Sequence, residues 1–199
     1  MSEQDKRRWD ARYAAGAYGA RGHPSDLVAA WAPRILPDLP PRPRALDLAC
    51  GAGRNARYLA RLGFRVDALD ISDAGLASAR AAAAEEGVGV RWTQYDLDQD
   101  LPLDCSGFHL ILMIRYVNLR LLRGLPERLA PGGWLICEEH LRSDADVIGP
   151  SNPAFRVAPG AVLEAVAGME VRLTTEGVVR DPDGRSAALA RLVARRTPD

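Results

Sequence analysis

The sequence is short of cysteine, of histidine and of net charge, and each shortage excludes something. Its three cysteines, Cys50, Cys105 and Cys137, are scattered without CxxC spacing. They make no disulfide framework and point to reduced thiols in a cytoplasm. The three histidines, His23, His109 and His140, do not fall at ligand spacing, so no metal site is expected. Lys+Arg and Asp+Glu both number 26, for a formal net charge of zero. That balance argues against a dedicated nucleic-acid binder. The local basic clusters, Lys6-Arg7-Arg8 and Arg195-Arg196, read as solvated ends. No apolar run approaches the ~20 residues that span a bilayer, so no membrane partner is expected. The opening MSEQDKRRWD is too polar for a secretory leader. No internal repeat is visible beyond an alternating strand–helix unit.

What is present fits one soluble domain: 199 residues, 47% hydrophobic and 26% charged, carry enough apolar mass for a core without staples. Residues 5–15 suit a short helix with Trp9 and Tyr13 on one face. Residues 26–36 suit a second, capped by Ser25, with Leu27, Val28, Trp31 and Ile35 as its buried stripe. PDLPPRP, residues 37–43, then breaks the pattern as a stiff connector. Residues 1–36 are too short to own a core and read as an N-terminal helical lid on a core of residues 44–199.

From residue 44 a rhythm begins. RALDLAC, FRVDALD, VGVRWTQYD and FHLILMI read as strands, the last too apolar to have a wet face. RNARYLARLG and DAGLASARAAAAEEG read as helices stopped by Gly63 and Gly87, and NLRLLRGLPERLA as a helix dented by Gly124 and Pro126. PGG then turns into the strand WLICEEH. Such alternation predicts an α/β, Rossmann-like sheet, mostly parallel, with helices on both faces. The last third differs. A long Pro- and Gly-rich loop leads to a short helix over PGAVLEAVAG. Two strands follow, MEVRLTTEGVVR and SAALARLVARR, joined at the hairpin signal Asp183-Gly184. The expected fold is therefore a seven-stranded sheet ending in an antiparallel C-terminal hairpin.

The chemistry concentrates in ALDLACGAGRNARYLA, residues 45–60. Gly51-Ala52-Gly53-Arg54-Asn55-Ala56 satisfies the GxGxxG/A dinucleotide pattern, with Asp70 about 20 residues on as a ribose ligand. An NAD(P)-linked oxidoreductase is a fair reading on that count. Charge argues the other way. A pyrophosphate wants backbone N–H groups and a helix N-terminus without a carboxylate beside it. Here Asp47 precedes the loop, Asp70 ends the second strand and Asp96 follows the third. Ligands of such sheets bind beyond the strands' carboxyl ends, so three acids converge on one mouth. A ligand with an amine and a sulfonium, S-adenosylmethionine (SAM), suits it better.

ALDLACGAGRNARYLA resembles the first SAM motif of class I methyltransferases. VDALDIS resembles the second, TQYDLDQ the third, and FHLILMIRYVN with APGGWLICEE the later ones, together covering roughly residues 45–140. WDARYAAGAYG, the GRN after the glycines and NPAFRVAPGAV resemble more narrowly the small methyltransferases of the tellurite-resistance type. The resemblance implies a single methyltransferase domain over residues 1–199 with SAM as cofactor. It implies that Gly51 and Gly53 admit the methionine part, that Asp47 faces its ammonium, and that Asp70 accepts from the two ribose hydroxyls. Asp47 also reads as an acid that organises the loop, and Asp70 as a helix cap, although Ser72 or Asp73 is better placed for that. Ile71 would pack on the adenine, Asp96 and Leu97 would meet its edge, and Ile114 would lie under the cofactor. Asn55 would cap a helix or touch the carboxylate end. Trp9, Arg12 and Tyr13 would close over from the lid.

Methyl transfer from a sulfonium needs alignment and exclusion of water, and a base only when the acceptor arrives protonated. Acceptor-side candidates are Arg115, Tyr116, His140 and Arg180, with Tyr18, His23 and Arg156 nearby in the reading. A tellurite-resistance-type enzyme would carry a His-Arg pair near the last hairpin, where Val179-Arg180 stands. The Asp/Asn-Pro-Pro-aromatic motif of base-methylating enzymes is absent after the fourth strand, where Ile114-Arg115-Tyr116-Val117-Asn118 stands. A small-molecule acceptor, such as a thiol or a chalcogen oxyanion, is therefore expected. A non-catalytic SAM-binding regulator remains the third reading. The oligomeric state is not legible.

Overall fold

The computed structural model describes residues 3–16, 22–181 and 183–198. Seven strands form one mixed sheet in the order β3-β2-β1-β4-β5-β7-β6, and the chain forms two compact units, Met1–Leu103 and Asp104–Asp199. The expected seven-stranded sheet and its terminal hairpin are both present.

In the N-terminal unit the strands are β1 (Arg44–Leu48), β2 (Arg65–Asp70) and β3 (Val90–Gln94), all paired in parallel. Four helices accompany them: α1 (Glu3–Ala14), α2 (Asp26–Ile35), α3 (Arg54–Arg61) and α4 (Asp73–Glu85). The Ser25 side chain caps α2 by accepting from the Val28 N–H. Its buried stripe is Leu27, Val28, Ala32 and Ile35, while Trp31 is half-exposed under the Arg34 guanidinium, 5.8 Å from the ring. The proline-rich connector is less open than its composition suggests, because Leu36–Asp38 closes one 3-10 turn. The α3 and α4 helices are joined by Glu86, which takes both Arg57 and Arg61.

In the C-terminal unit β4 (Phe108–Ile114) lies parallel to β5 (Leu129–His140). β4 is buried along nearly its whole length, as its apolar run requires. β7 (Ser186–Arg195) runs antiparallel to β5, and β6 (Glu170–Arg180) antiparallel to β7. The hairpin turn closes through the Gly184 N–H on the Asp181 carbonyl and the Asp181 N–H on the Arg185 carbonyl, with Gly184 at φ 82°. Two boundaries depart from the expectation. Pro126 ends the helix expected over NLRLLRGLPERLA early, leaving α5 (Leu119–Gly124) and a 3-10 turn at Pro126–Arg128. PGG belongs to β5, which begins at Leu129, and the register opposite it shifts between Phe108 and Leu110. Gly133 permits this, because a Cβ there would stand 2.8 Å from the Phe108 carbonyl oxygen. The remaining helix, α6 (Ala161–Ala165), is a single turn and a half. The loop before it is fastened by Arg156, which donates to the Pro150 and Leu141 carbonyls.

Among the described residues no helix is long and apolar enough to cross a membrane. The three cysteines are free.

Gly53 is where loop geometry and packing meet. It sits at φ 75°, and a Cβ would lie 2.4 Å from the Trp92 ring and 2.9 Å from the Ala79 side chain. Gly53→Ala is therefore expected to cost at least about 2 kcal/mol from strain and overpacking, read as a lower urea midpoint with unchanged slope. A midpoint equal to wild type would contradict this packing.

Candidate functional site

The site in the N-terminal unit is built from a loop that reverses sharply at the end of β1. Ala49, Gly51 and Gly53 all have positive φ, at 53°, 55° and 75°. A run of alternating backbone hands turns successive N–H groups toward one side. The Cys50 N–H donates to the Leu69 carbonyl, which ties the loop to the end of β2.

Two buried carboxylates hold the loop. Asp70 closes β2, 7% exposed, with one oxygen accepting from the Gly51 N–H at 2.7 Å and the other from the Ser72 N–H at 2.8 Å. It thus fastens the glycine turn to the start of α4. Burial raises its carboxyl above the usual range, against the hydrogen bonds from Ser72, Gly51 and Ile71. Asp47 lies inside β1, 1% exposed. Burial pushes its carboxyl up to about 7, the Arg54 cation and the Ala56 N–H pull it down, and the Asp70 charge adds to the rise. Its Oδ2 has no hydrogen-bond partner among the described residues. A buried acceptor in that state costs about 1–3 kcal/mol, and a ligand ammonium would supply what it lacks.

The lid reaches this loop. Tyr13 lies over the glycines: a Cβ on Gly51 would stand 2.2 Å from its hydroxyl oxygen, and one on Gly75 would stand 3.0 Å from its ring. Trp9 lies 6.3 Å from the Tyr13 ring, and the exposed Arg12 stacks 5.1 Å from the Trp9 centroid. What pins α1 in place has no local signature. Asp10 accepts from the Ser72 hydroxyl at 2.6 Å and from the Ala74 N–H at 3.2 Å, and Lys6 bridges Asp10 and Asp73 at 3.0 and 2.9 Å. Ser72 caps α4 through the Gly75 N–H, so Asp10 adds a second acceptor for donors that the helix leaves open. Burial pushes the Asp10 carboxyl up, but the bonds from Ser72, Lys6 and Ala74 outweigh it and leave it below the ordinary value.

The other cofactor-side residues fall as follows. Asn55, 6% exposed, accepts from the Ser25 N–H at 2.9 Å and so holds the start of α2. Ile71 is buried beside the loop and its carbonyl accepts from Gln94. Asp96 is half-buried and accepts from the Asp98 N–H in a tight turn, and Leu97 is in the core.

In the C-terminal unit, Ile114 ends β4, buried. Arg115 follows at φ 60°, an uncommon backbone for a side chain of its size. Its guanidinium donates to Glu138 at 3.1 Å and to both oxygens of Asp181. Glu138 also takes Arg191 at 2.9 Å. Two cations and two carboxylates thus balance, which leaves Arg115 no spare charge for an anionic acceptor. Asp181 and Glu138 had no signal in the sequence; they lie 66 and 23 residues from Arg115. Tyr116 is half-buried, and His140 is buried at the end of β5 against Gly149, where a Cβ would meet its Nδ1 at 2.9 Å. Arg180 is exposed and clamps the hairpin turn by donating to the Gly184 carbonyl at 3.1 Å. His23 meets the Pro24 carbonyl, and Tyr18 lies outside the described residues.

Residues 45–133 match the methyltransferase domain family. That segment is where the chain is similar to the SAM-dependent methyltransferases. Over 98 residues it is 34% identical to a ubiquinone biosynthesis O-methyltransferase of Caulobacter sp. strain K31, covering 47% of this chain and 39% of that protein. The chain thus spans about two-fifths of that curated relative's length. In fold it is similar to TehB from Haemophilus influenzae, with a TM-score of 0.70 and 22% identity over 86% of this chain and 62% of that one. It is likewise similar to the Synechocystis magnesium protoporphyrin IX methyltransferase solved with bound SAH, with a TM-score of 0.65 and 17% identity over 85% and 82% of the two chains. The methyltransferase family brings SAM as its cofactor, and the dinucleotide reading of the glycine loop gives way to it.

Two outcomes follow from the acids. Asp47 titrates higher folded than its ordinary 3.8, so ionising it in place works against the fold. Its contribution to stability declines from about pH 4 to about pH 7 and is flat above. Urea melts across that window should show wild type losing ground to Asp47→Asn as pH rises; parallel curves would contradict the burial argument. Asp10 is shifted the opposite way, so lid docking is complete above the ordinary carboxylate range and is lost as pH falls through the depressed value. Asp10→Ala should speed proteolytic cleavage within residues 3–16 several-fold at neutral pH. Equal cleavage would mean that α1 is held by other contacts.

Proposed function

We propose that this chain, acting as one methyltransferase domain, transfers the methyl group of SAM to a small-molecule acceptor that arrives as a neutral O–H or S–H. The observation that carries the reading is the acid-lined glycine loop. Asp47 offers a buried, unpartnered oxygen, and Asp70 stands at the end of β2 with both oxygens directed by backbone amides. A cation suits that set and a diphosphate does not.

In this reading Asp47 faces the ammonium of the methionine part, and Gly51 and Gly53 let the backbone approach it. Asp70 accepts from the ribose hydroxyls through its remaining lone pairs, while its amide bonds keep it rigid. Ile71 packs on the adenine, with Asp96 and Leu97 at its edge. Tyr13, Trp9 and Arg12 cover the site from the lid and exclude water. The cofactor supplies an activated methyl on a good, neutral leaving group. The protein's own task is alignment and desolvation.

The acceptor class follows from the C-terminal unit. Arg115 is neutralised by Glu138 and Asp181, and Arg180 holds a turn. Neither supports a chalcogen oxyanion, so a thiol or an acidic hydroxyl is the better acceptor. The name of the Caulobacter relative, an O-methyltransferase of ubiquinone biosynthesis, accords with a hydroxyl. Formal neutrality and the missing base-methylation motif argue against nucleic acid. Three free thiols accord with a reducing cytoplasm.

Calorimetric titration tests the cofactor. SAM should bind and NADH should not, and Asp70→Ala should weaken SAM at least about tenfold, roughly 1.4 kcal/mol. Circular dichroism serves as the control for folding, since Asp70 also braces two amides. Binding of NADH with SAM silent would reverse the assignment.

A further inference from the structure

Tyr13 is seated more closely than a covering role requires. Its ring is wedged between two glycines of the N-terminal unit. A Cβ on Gly51 would stand 2.2 Å from the Tyr13 hydroxyl oxygen and 3.6 Å from its Cε1. A Cβ on Gly75 would stand 3.0 Å from Cε2 and 3.1 Å from Cδ2, on the opposite edge of the ring. Gly51 has φ 55°, so its turn asks for glycine on its own account. Gly75 has no such reason. It lies in the first turn of α4 without a positive φ, and a glycine within a helix is destabilising against alanine. What its missing side chain provides is the seat of the Tyr13 ring.

In the SAM reading the cofactor needs the same space. Gly51 admits the methionine part by lacking a Cβ, so the ligand approaches from the side on which a Cβ would stand. The Tyr13 hydroxyl occupies that side, and two groups cannot hold it together. The way α1 is fastened lets the tyrosine yield. None of the α1 residues is fully buried, and Tyr13 itself is half-buried. Docking rests on polar contacts earlier in the helix, where Asp10 meets Ser72 and Ala74, and Lys6 meets Asp73. Asp10 and Tyr13 are three residues apart and so share a helix face. The anchor stays in place while the ring turns outward. Segments with little buried apolar surface are the ones that open most readily.

We propose that Tyr13 is the gate of the cofactor seat: its ring turns off Gly51 to admit the methionine part of SAM and then closes over it. The inference rests on the SAM reading of the glycine loop and concerns the order of events at that site. The closed ring bars entry. Only the fraction of molecules with Tyr13 turned aside takes the cofactor, and the apparent association rate falls by that fraction. Once the cofactor is in, the returning ring slows its escape and keeps water from the sulfonium. A residue that merely covers the ligand would slow release alone. A gate slows both directions.

Stopped-flow tryptophan fluorescence with S-adenosylhomocysteine as the probe measures both rates, Trp9 lying 6.3 Å from the Tyr13 ring. Tyr13→Ala removes the gate. Gly75→Ala leaves the tyrosine and the glycine loop intact but sets a methyl group against the ring. Gly51 on the far edge then leaves the ring only the outward path. Both variants are expected to bind the probe at least about fivefold faster. Both should also release it faster, so that affinity by calorimetry changes less than either rate. Circular dichroism checks folding, and Gly75→Ala is the safer variant because alanine suits a helix. An association rate equal to or below wild type in folded Gly75→Ala would overturn the gate. Faster release with unchanged association in Tyr13→Ala would do the same, leaving Tyr13 a cover only. Failure of wild type to bind the probe at all would refute the SAM reading itself, and calorimetry reports that separately.

Discussion

The N-terminal unit depends on one carboxylate that does two things. Asp70 takes the Gly51 amide on one oxygen and the Ser72 amide on the other. The first bond sets the glycine turn, and the second sets the start of α4. Because Ser72 also meets Asp10 of α1, a continuous line of hydrogen bonds runs from the lid to the loop. Charge-assisted bonds to backbone amides are among the stronger ones available, and here they are buried. The cost of desolvating Asp70 is offset by the order it imposes on three segments.

Asp47 completes the electrostatic character of the loop. It is the deeper of the two acids, with an oxygen that nothing described in the protein satisfies. Two carboxylates beneath a glycine turn run against the usual preference of such turns for phosphate.

The C-terminal unit handles its charges differently. Arg115, Glu138, Asp181 and Arg191 neutralise one another at the end of β4 and β5. A cluster built this way holds the strained backbone of Arg115 and offers little net attraction to an anion, which bears on the kind of acceptor the protein takes. Much of the fold was legible because it is local. The periods of the strands and helices, the cap at Ser25, and the Asp183-Gly184 turn are each written within a few residues. The glycine loop and its acids were legible for the same reason. Asp10 and Asp181 were not, because each acts on a partner more than sixty residues away. Periodicity carries no information about such pairings. The start of β5 was misplaced because PGG reads as a turn, while the close approach of the Phe108 carbonyl to Gly133 is visible only in three dimensions.

The central claim is one of sign: the loop between β1 and α3 is built for a positively charged guest. A crystal structure of the protein grown with both S-adenosylhomocysteine and NADH present tests it most directly. The account predicts the homocysteine ammonium against Asp47 and the ribose hydroxyls against Asp70, with Tyr13 displaced or closed over the ligand. Density for a diphosphate lying on the Gly51–Gly53 amides would contradict it.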